Sequence, residues 1–194
     1  MLFNSLEFLI FLPIVLAVYY VLSQRAQNVW LLIASYVFYG SWDWRFLGLI
    51  LISTIVDYAV GVQLGKRSDP RTRKRLLLVS MATNLGILGI FKYYGFFVGS
   101  FAALLEAVGL QANISTLQIV LPVGISIYTF QTMSYTIEVY RKKIEPTRHP
   151  LTFALYVAFF PQLVAGPIER AHHLLPMLAA ARRIRWLDIA VGFE

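Results

Sequence analysis

The feature that most limits how this chain can fold is a series of long apolar blocks separated by short charged segments. Each block is long enough, or nearly so, to cross a hydrocarbon layer about 30 Å thick as a helix rising about 1.5 Å per residue. Hydrophobic residues make up 58% of the chain and the mean hydropathy is +0.66, which is far too apolar for an ordinary soluble domain. The sequence therefore predicts one all-α domain over residues 1-194, a polytopic transmembrane helical bundle.

Five of the blocks are predicted to span the membrane, and they cover residues 6-22, 29-44, 46-64, 76-97 and 117-140. Between the last two, part of residues 98-116 could form a helix that lies on the membrane surface. The third span carries Asp57 near its middle, where an ionised carboxylate is costly. Asp57 therefore either has a partner inside the bundle or lines a polar passage.

The positions of the charged residues predict the orientation of these spans. The chain has 17 basic and 10 acidic residues, a net charge of +7. Six of the basic residues lie in the segment between the third and fourth spans: Lys66, Arg67, Arg71, Arg73, Lys74 and Arg75. In a soluble protein this charge would suggest nucleic acid as a partner, but beside apolar spans it indicates the cytoplasmic face of a membrane protein. The alternative is a site for an anionic group at the membrane surface.

Counting spans from this basic segment places the N-terminus outside the cell. Two further spans return the chain to the cytoplasm at a second basic stretch, residues 141-148, and leave a loop with Glu106 and no basic residue outside. The predicted location is a bacterial cytoplasmic (inner) membrane, crossed several times, with the lipid bilayer as the first partner.

Proline and glycine interrupt the next apolar block, residues 150-168, at Pro161, Gly166 and Pro167. A straight membrane helix is not expected there. A segment that enters and leaves on one face would keep the later arginines at 182, 183 and 185 in the cytoplasm, so 150-168 is predicted to be re-entrant. Residues 172-185 have an apolar side and a basic end, which predicts an interfacial helix.

Polar and small residues concentrate in the fifth span and in the re-entrant segment. The candidates for lining a substrate tunnel are Gly124, Ser126, Tyr128, Thr129, Gln131, Tyr135, Glu138, Pro161, Gln162, Gly166, Pro167 and Arg170. Polar groups at membrane depth usually face a bundle interior or a wet cavity. Small residues also allow close helix packing without any function, and that alternative stays open for the members in the fifth span.

Three charged candidates have specific alternatives. Glu138 precedes Lys142 by four residues, so the two would form an ion pair if the helix continued. Arg170 could contact a phosphate of an anionic donor, a lipid headgroup or its neighbour Glu169. The three histidines, His149, His172 and His173, lie in predicted cytoplasmic or interfacial segments, so solvated surface positions are expected for them and no catalytic residue is assigned. No metal-ligand spacing is present, and the chain has no cysteine.

Three strings carry a resemblance to a known family. They are MLFNSLEFLIFLPIVLAVYY at the start, LPVGISIYTFQTMSYTIEVYR in the middle and YVAFFPQLVAGPIER near the end. In these strings the chain resembles the membrane-bound O-acyltransferases, and within them the N-terminal part of the alginate-type bacterial branch.

The resemblance implies a ring of membrane helices around a tunnel. A cytoplasmic thioester donor, acetyl-coenzyme A or an acyl carrier, would deliver its acyl group as a substrate, with no bound cofactor. The acceptor would be an exported polysaccharide such as alginate, or a periplasmic or extracellular partner protein. The family's catalytic histidine lies in its second half, so this chain is expected to be a fragment that is inactive alone. The alternative is a membrane transport or scaffold subunit without chemistry, for which polar groups inside the membrane would also be suitable.

The topology can be tested with single cysteines at Ser68, Ser115 and Ala181, because the chain contains no other cysteine. An impermeant thiol reagent should label position 68 from the cytoplasm, position 115 from outside and position 181 from the cytoplasm. Labelling of position 181 only from outside would contradict the re-entrant segment.

Overall fold

The computed structural model describes residues 4-108, 124-166 and 169-180, and every regular element in these ranges is helical. The all-α prediction is therefore confirmed. In chain order the helices are α1 (Leu6–Val21), α2 (Gln24–Asp43), α3 (Leu47–Lys66), α4 (Pro70–Leu88), α5 (Tyr94–Ala107), α6 (Ile125–Tyr140), α7 (Pro150–Ala158), α8 (Phe160–Ala165) and α9 (Ala171–Ala179). A 3₁₀ turn, Trp44–Phe46, joins α2 to α3, and a π-helical turn, Gly89–Tyr93, joins α4 to α5.

Two continuous helical stretches are long and apolar enough to cross a membrane, judged by length and composition. They are Gln24–Lys66, which includes the 3₁₀ turn, and Pro70–Ala107, which includes the π turn. Two shorter apolar helices, Leu6–Val21 and Pro150–Leu163, accompany them.

The helix that contains the fourth predicted span, 76-97, continues beyond it at both ends. The helix begins six residues earlier, at Pro70, because Asp69 accepts a hydrogen bond from the Thr72 backbone N–H at 2.8 Å and proline suits the first helical position. The Thr72 hydrogen bonds also hold the pKa of the Asp69 carboxyl below its usual range. At the other end the chain stays helical through the π turn into α5, so the separate surface helix considered within 98-116 is not observed up to residue 107.

Polar side chains lie inside this structure and large apolar side chains lie outside, which is the reverse of a soluble protein. Fully buried polar residues include Ser53, Asp57, Ser80, Asn84, Gln131 and Thr132. Exposed apolar residues include Leu6 at 72%, Val21 at 86%, Ile55 at 65% and Phe96 at 67%. Lipid covers apolar surface without cost, whereas water does not, so this distribution fits a bilayer environment.

Helices α3, α4 and α6 pack against one another and form the centre of the structure. Helix α7 lies beside them and contacts α2, α3 and α9. The aromatic rings of Tyr135, Phe153 and Tyr156 are fully buried at the contact of α6 with α7, and the Tyr135 and Phe153 ring centroids are 4.7 Å apart. Helix α5 extends away from this centre and buries none of its residues in the described structure.

Arg73 joins three helix ends at one end of the bundle. Its guanidinium donates hydrogen bonds to the carbonyl oxygen of Leu64 near the end of α3, and to those of Val139 and Tyr140 at 3.1 and 2.8 Å at the end of α6. The last carbonyls of a helix lack intrahelical partners and carry partial negative charge, so a buried guanidinium satisfies both needs. The two basic stretches of the sequence therefore lie at the same end of the bundle, here named the basic end.

The segment from residue 150 to residue 171 is broken, as its prolines and glycines predict. Helix α7 ends at Ala158, and Phe159 has an extended ψ of 104° before Pro161 begins the first turn of α8. Helix α8 ends at Ala165, and Gly166 after it is extended. The predicted interfacial helix 172-185 is shorter: α9 ends at Ala179, because Ala180 has an extended ψ of 149°, and residues 181-185 lie outside the described residues.

Replacing Arg73 with lysine should destabilise the protein although the charge is kept. A lysine ammonium is a single point and cannot reach the carbonyls of α3 and α6 together, so buried acceptors lose their donors at a cost of about 1–3 kcal/mol. Circular dichroism in detergent would show a lower thermal midpoint. The exposed Arg75→Lys variant is the matched control, and equal midpoints for the two variants would contradict this role of Arg73.

Candidate functional site

Asp57 is the centre of a buried polar cluster that joins α3, α4 and α6. The Ser80 hydroxyl donates to one Asp57 carboxylate oxygen at 2.5 Å, and the Asn84 amide donates to the other at 2.7 Å. From α6, the Thr132 hydroxyl donates to the Asn84 side-chain oxygen at 3.3 Å, and Thr136 also faces the carboxyl. The sequence left open whether Asp57 has a partner inside the bundle or lines a polar passage. The structure shows partners inside the bundle.

Regular spacing explains why these groups meet. Ser80 and Asn84 are four residues apart on α4, and Thr132 and Thr136 are four apart on α6, so each pair lies on one face of its helix. The sequence interpretation named Asp57 but did not assign partners to it. The i,i+4 spacing of polar residues within apolar spans is the signal that could have found them.

Four tunnel candidates on α6 are fully buried among the described helices: Tyr128, Thr129, Gln131 and Tyr135. Gln131 donates to the Tyr156 backbone oxygen at 2.7 Å and to the Gln162 side-chain oxygen at 3.2 Å, which ties α6 to α7 and α8. The Tyr135 hydroxyl accepts from the Thr147 backbone N–H at 3.2 Å. The tunnel-lining role of these residues stays a prediction.

Several buried polar atoms on α6 have no hydrogen-bond partner among the described residues. They are the Tyr128 hydroxyl, the Thr129 hydroxyl, the Gln131 side-chain oxygen and one Glu138 carboxylate oxygen. Each such group costs about 1–3 kcal/mol when it stays unpaired, so several of them on one helix are unusual in a folded protein. Within the described structure, α6 therefore has buried polar atoms at four positions that could accept or donate further hydrogen bonds.

Gly124 and Ser126 mark the start of α6. Gly124 has a left-handed φ of 73°, and a Cβ there would lie 2.9 Å from the Leu163 backbone oxygen of α8. Both the dihedral angle and this close approach require glycine. Ser126 lies nearer the surface, where its hydroxyl is 3.3 Å from the Lys92 ammonium.

The candidates after α7 separate into buried and exposed positions. Gln162 is buried against Gln131, and a Cβ on Gly166 would lie 2.9 Å from the Gln162 Cα, so these two residues pack closely. Pro161 is exposed in the first turn of α8. Arg170 is exposed at the N-cap of α9, and Pro167 lies outside the described residues.

Two ion pairs in the structure differ from those that the sequence suggested. Glu138 is 3.3 Å from the His172 Nδ1, not paired with Lys142, because α6 ends at Tyr140 and Lys142 turns to a left-handed φ of 57°. Glu169 is 3.0 Å from the His173 Nδ1, so the pairing of Glu169 with Arg170 is also not observed. Both histidines are more than half exposed, as expected for surface positions.

A cavity of 360 Å³ lies at the basic end between the loop after α6 and helices α7 and α9. Its lining combines polar and apolar side chains, among them Thr147, His149, Thr152, His172 and Leu175. It lies next to Glu138, because His172 contacts both. The site thus has an opening at the basic end and a polar helix, α6, leading away from it.

Comparison with known proteins shows which proteins the chain is similar to. The chain is 43% identical over 178 residues to the probable alginate O-acetylase AlgI of Pseudomonas putida, and 42% identical over 178 residues to that of Pseudomonas aeruginosa. Each match covers 90% of the chain. The chain resembles the alginate O-acetylases. The resemblance inferred from the three sequence strings is therefore confirmed.

A more distant relative has a different named acceptor. The peptidoglycan O-acetyltransferase of Helicobacter pylori is 30% identical over 225 residues, a match that covers 99% of the chain. The chain spans about a third of the length of the alginate O-acetylases, 36% and 34% of the two named above. No family model matches the chain, and no solved structure matches it significantly.

The close packing around Tyr135 can be tested with a glycine substitution. A Cβ on Gly61 would lie 2.6 Å from the Tyr135 hydroxyl, so Gly61→Ala should displace a fully buried ring and destabilise the protein by about 1–3 kcal/mol. Gly86 on α4 has nothing within 4 Å of its Cβ position, so Gly86→Ala should instead stabilise by up to about 1 kcal/mol. Thermal midpoints in detergent should shift in opposite directions; shifts of the same sign would contradict the packing.

Proposed function

We propose that this chain forms part of a membrane O-acyltransferase that moves an acetyl group from a cytoplasmic thioester donor to a hydroxyl of an exported polysaccharide such as alginate. The observation that carries the proposal is the similarity to alginate O-acetylases over 90% of the chain. The buried polar helix α6 supports it, because a reaction that crosses the membrane plane needs polar groups at membrane depth.

The membrane arrangement is part of the proposal. The exposed apolar surface and the two long apolar stretches support a multi-pass protein of the bacterial cytoplasmic membrane with its N-terminus outside. The break at Phe159 and the return of the chain to Glu138 at His172 support a re-entrant segment over 150-168. Phe160 and Leu163 of this segment are buried against other helices, which supports a segment that protein shields from lipid.

The donor would arrive at the basic end. A thioester of coenzyme A or of an acyl carrier is anionic, and this end of the bundle carries most of the basic residues. The 360 Å³ cavity there could receive the acyl end of the donor, with His172 and Thr147 at its wall. From this cavity the unpaired polar atoms of Glu138, Gln131 and Tyr128 lead along α6 toward the other face.

The chain's own residues would bind and orient rather than catalyse. The base that takes the proton from the acceptor hydroxyl would be the histidine that the family resemblance implies elsewhere in the protein. As the carbonyl carbon is attacked, the thiolate of the donor leaves and the acyl group moves to the hydroxyl oxygen. The polar atoms on α6 would hold the acyl carbonyl by hydrogen bonds in a site that excludes water.

A fused chain tests this proposal. Residues 1-194 would replace the matching part of the Pseudomonas putida alginate O-acetylase, and ester-linked acetate on alginate would be measured in cells that lack their own enzyme. We expect acetylation by the fused chain, none by residues 1-194 alone, and at least a tenfold loss for Gln131→Leu, which replaces the amide with an apolar group of similar size.

Membrane content of each variant, measured by immunoblot, controls for expression, and the exposed Leu78→Ala variant controls for substitution in a membrane helix. A fused chain that reaches the membrane at the native level and transfers nothing would refute the acyltransferase assignment. Acetylation by residues 1-194 alone would refute the division of roles.

A further inference from the structure

Five basic side chains that are distant in sequence meet at the basic end. Lys66 and Arg67 end α3, while Lys142, Lys143 and Arg148 lie in the loop after α6, and all five are exposed. None of them forms an ion pair with a described residue, and the carboxylate among them is Glu145. The fold thus brings five positive charges together with one carboxylate, and this excess of positive charge costs energy unless an anion is nearby.

These side chains surround a groove with two different ends. Two adjoining cavities of 590 and 460 Å³ share the lining residues Gly65, Lys66, Glu145 and Pro146, and together they form what we name the basic groove. Tyr58 and Val62 on α3 form an apolar wall at one end of the groove, which Lys66, Glu145 and Arg148 also line. Arg67, Lys142 and Lys143 line the other end of the groove.

The backbone holds the groove in a defined shape. A Cβ on Gly65 would lie 2.4 Å from the Pro146 side chain, so the loop packs directly on α3. The Tyr58 hydroxyl donates to the Arg148 backbone oxygen at 2.9 Å. At the end of α6, Lys142 and Lys143 donate backbone hydrogen bonds to Val139 and Glu138 at 3.1 and 2.9 Å in a Schellman turn, with Lys142 in the left-handed position.

A non-glycine residue in that left-handed position is unfavourable by about 1 kcal/mol, and glycine would be the ordinary choice. Lysine there directs a further positive charge to the groove. Arg73 contributes indirectly, since its guanidinium occupies the carbonyl ends of α3 and α6, whose partial negative charge would otherwise oppose an anion.

We propose that the basic groove binds the phosphodiester headgroup of an anionic phospholipid, with an acyl chain against Tyr58 and Val62. A phosphate matches the net positive charge, and a molecule that is anionic at one end and apolar at the other matches the basic lining and the apolar wall of the groove. The general attraction of basic residues to the cytoplasmic leaflet needs neither a groove nor an apolar wall. The groove adjoins the 360 Å³ cavity proposed for the donor, because Ile144 and Glu145 line both, but none of the five basic residues lines that cavity. Its occupancy does not depend on acyl transfer.

The test compares two pairs of substitutions that change the net charge equally. The groove pair is Lys66→Gln with Arg148→Gln, and the control pair is Lys74→Gln with Arg75→Gln, both exposed on α4 and outside the groove lining. Residues 1-194 would be extracted from phosphatidylglycerol-containing membranes, exchanged into neutral detergent, and analysed by mass spectrometry for phosphatidylglycerol retained per protein. We expect at least a fivefold loss for the groove pair and less than a twofold change for the control pair.

Three further measurements distinguish an anionic phospholipid from other ligands of the groove. A second groove pair, Lys142→Gln with Lys143→Gln, should lose as much phosphatidylglycerol as the first. If the first pair lowers the thermal midpoint of the protein, the second pair replaces it in the test. Phosphatidylcholine of equal chain length should be retained far less than phosphatidylglycerol. Equal losses in the groove and control pairs would overturn the proposal, as would displacement of the lipid by micromolar coenzyme A, which would assign the groove to a soluble phosphate.

Discussion

The structure depends on the satisfaction of one carboxylate. Asp57 lies fully buried in the middle of an apolar helix, where an unpaired ionisable group would be costly. Ser80 and Asn84 supply its hydrogen bonds from α4, and Thr132 connects the cluster to α6. Because the apolar surfaces of these helices gain little from contact with one another in lipid, such polar contacts fix which helices pack together and in which register.

Arg73 serves the same purpose at the end of the bundle. It satisfies carbonyl groups of α3 and α6 from the first turn of α4, so the three central helices are joined both at mid-depth and at the basic end. Thr132 connects α6 to this frame of three central helices, and Gln131, one residue earlier, belongs to the candidate site. The frame thereby holds the unpaired polar atoms of α6 in place, which is the condition for a site that binds by hydrogen bonds.

The sequence predicted the helical class, an interruption within 150-168 and the polar character of α6, because each rests on local chemistry: apolar length, proline and glycine, and residue type. It did not predict that the helix of the fourth span begins at Pro70, where the cap at Asp69 allows charged residues to join a helix. It proposed the pairing of Glu138 with Lys142, which fails because α6 stops at Tyr140. Arg73 was counted as one of several loop cations, and nothing local distinguishes it from Arg71.

By itself, then, the amino-acid sequence determined that this protein is helical, that its helices are apolar enough for a membrane, and that it resembles a family of O-acyltransferases. The tertiary structure alone decided which polar groups meet. Asp57 with Asn84, Glu138 with His172, and Lys66 with Arg148 are pairs far apart in sequence whose proximity depends on how whole helices pack. The physical reason is that hydropathy and helix length act within a segment, whereas hydrogen bonds and charge act across space between segments.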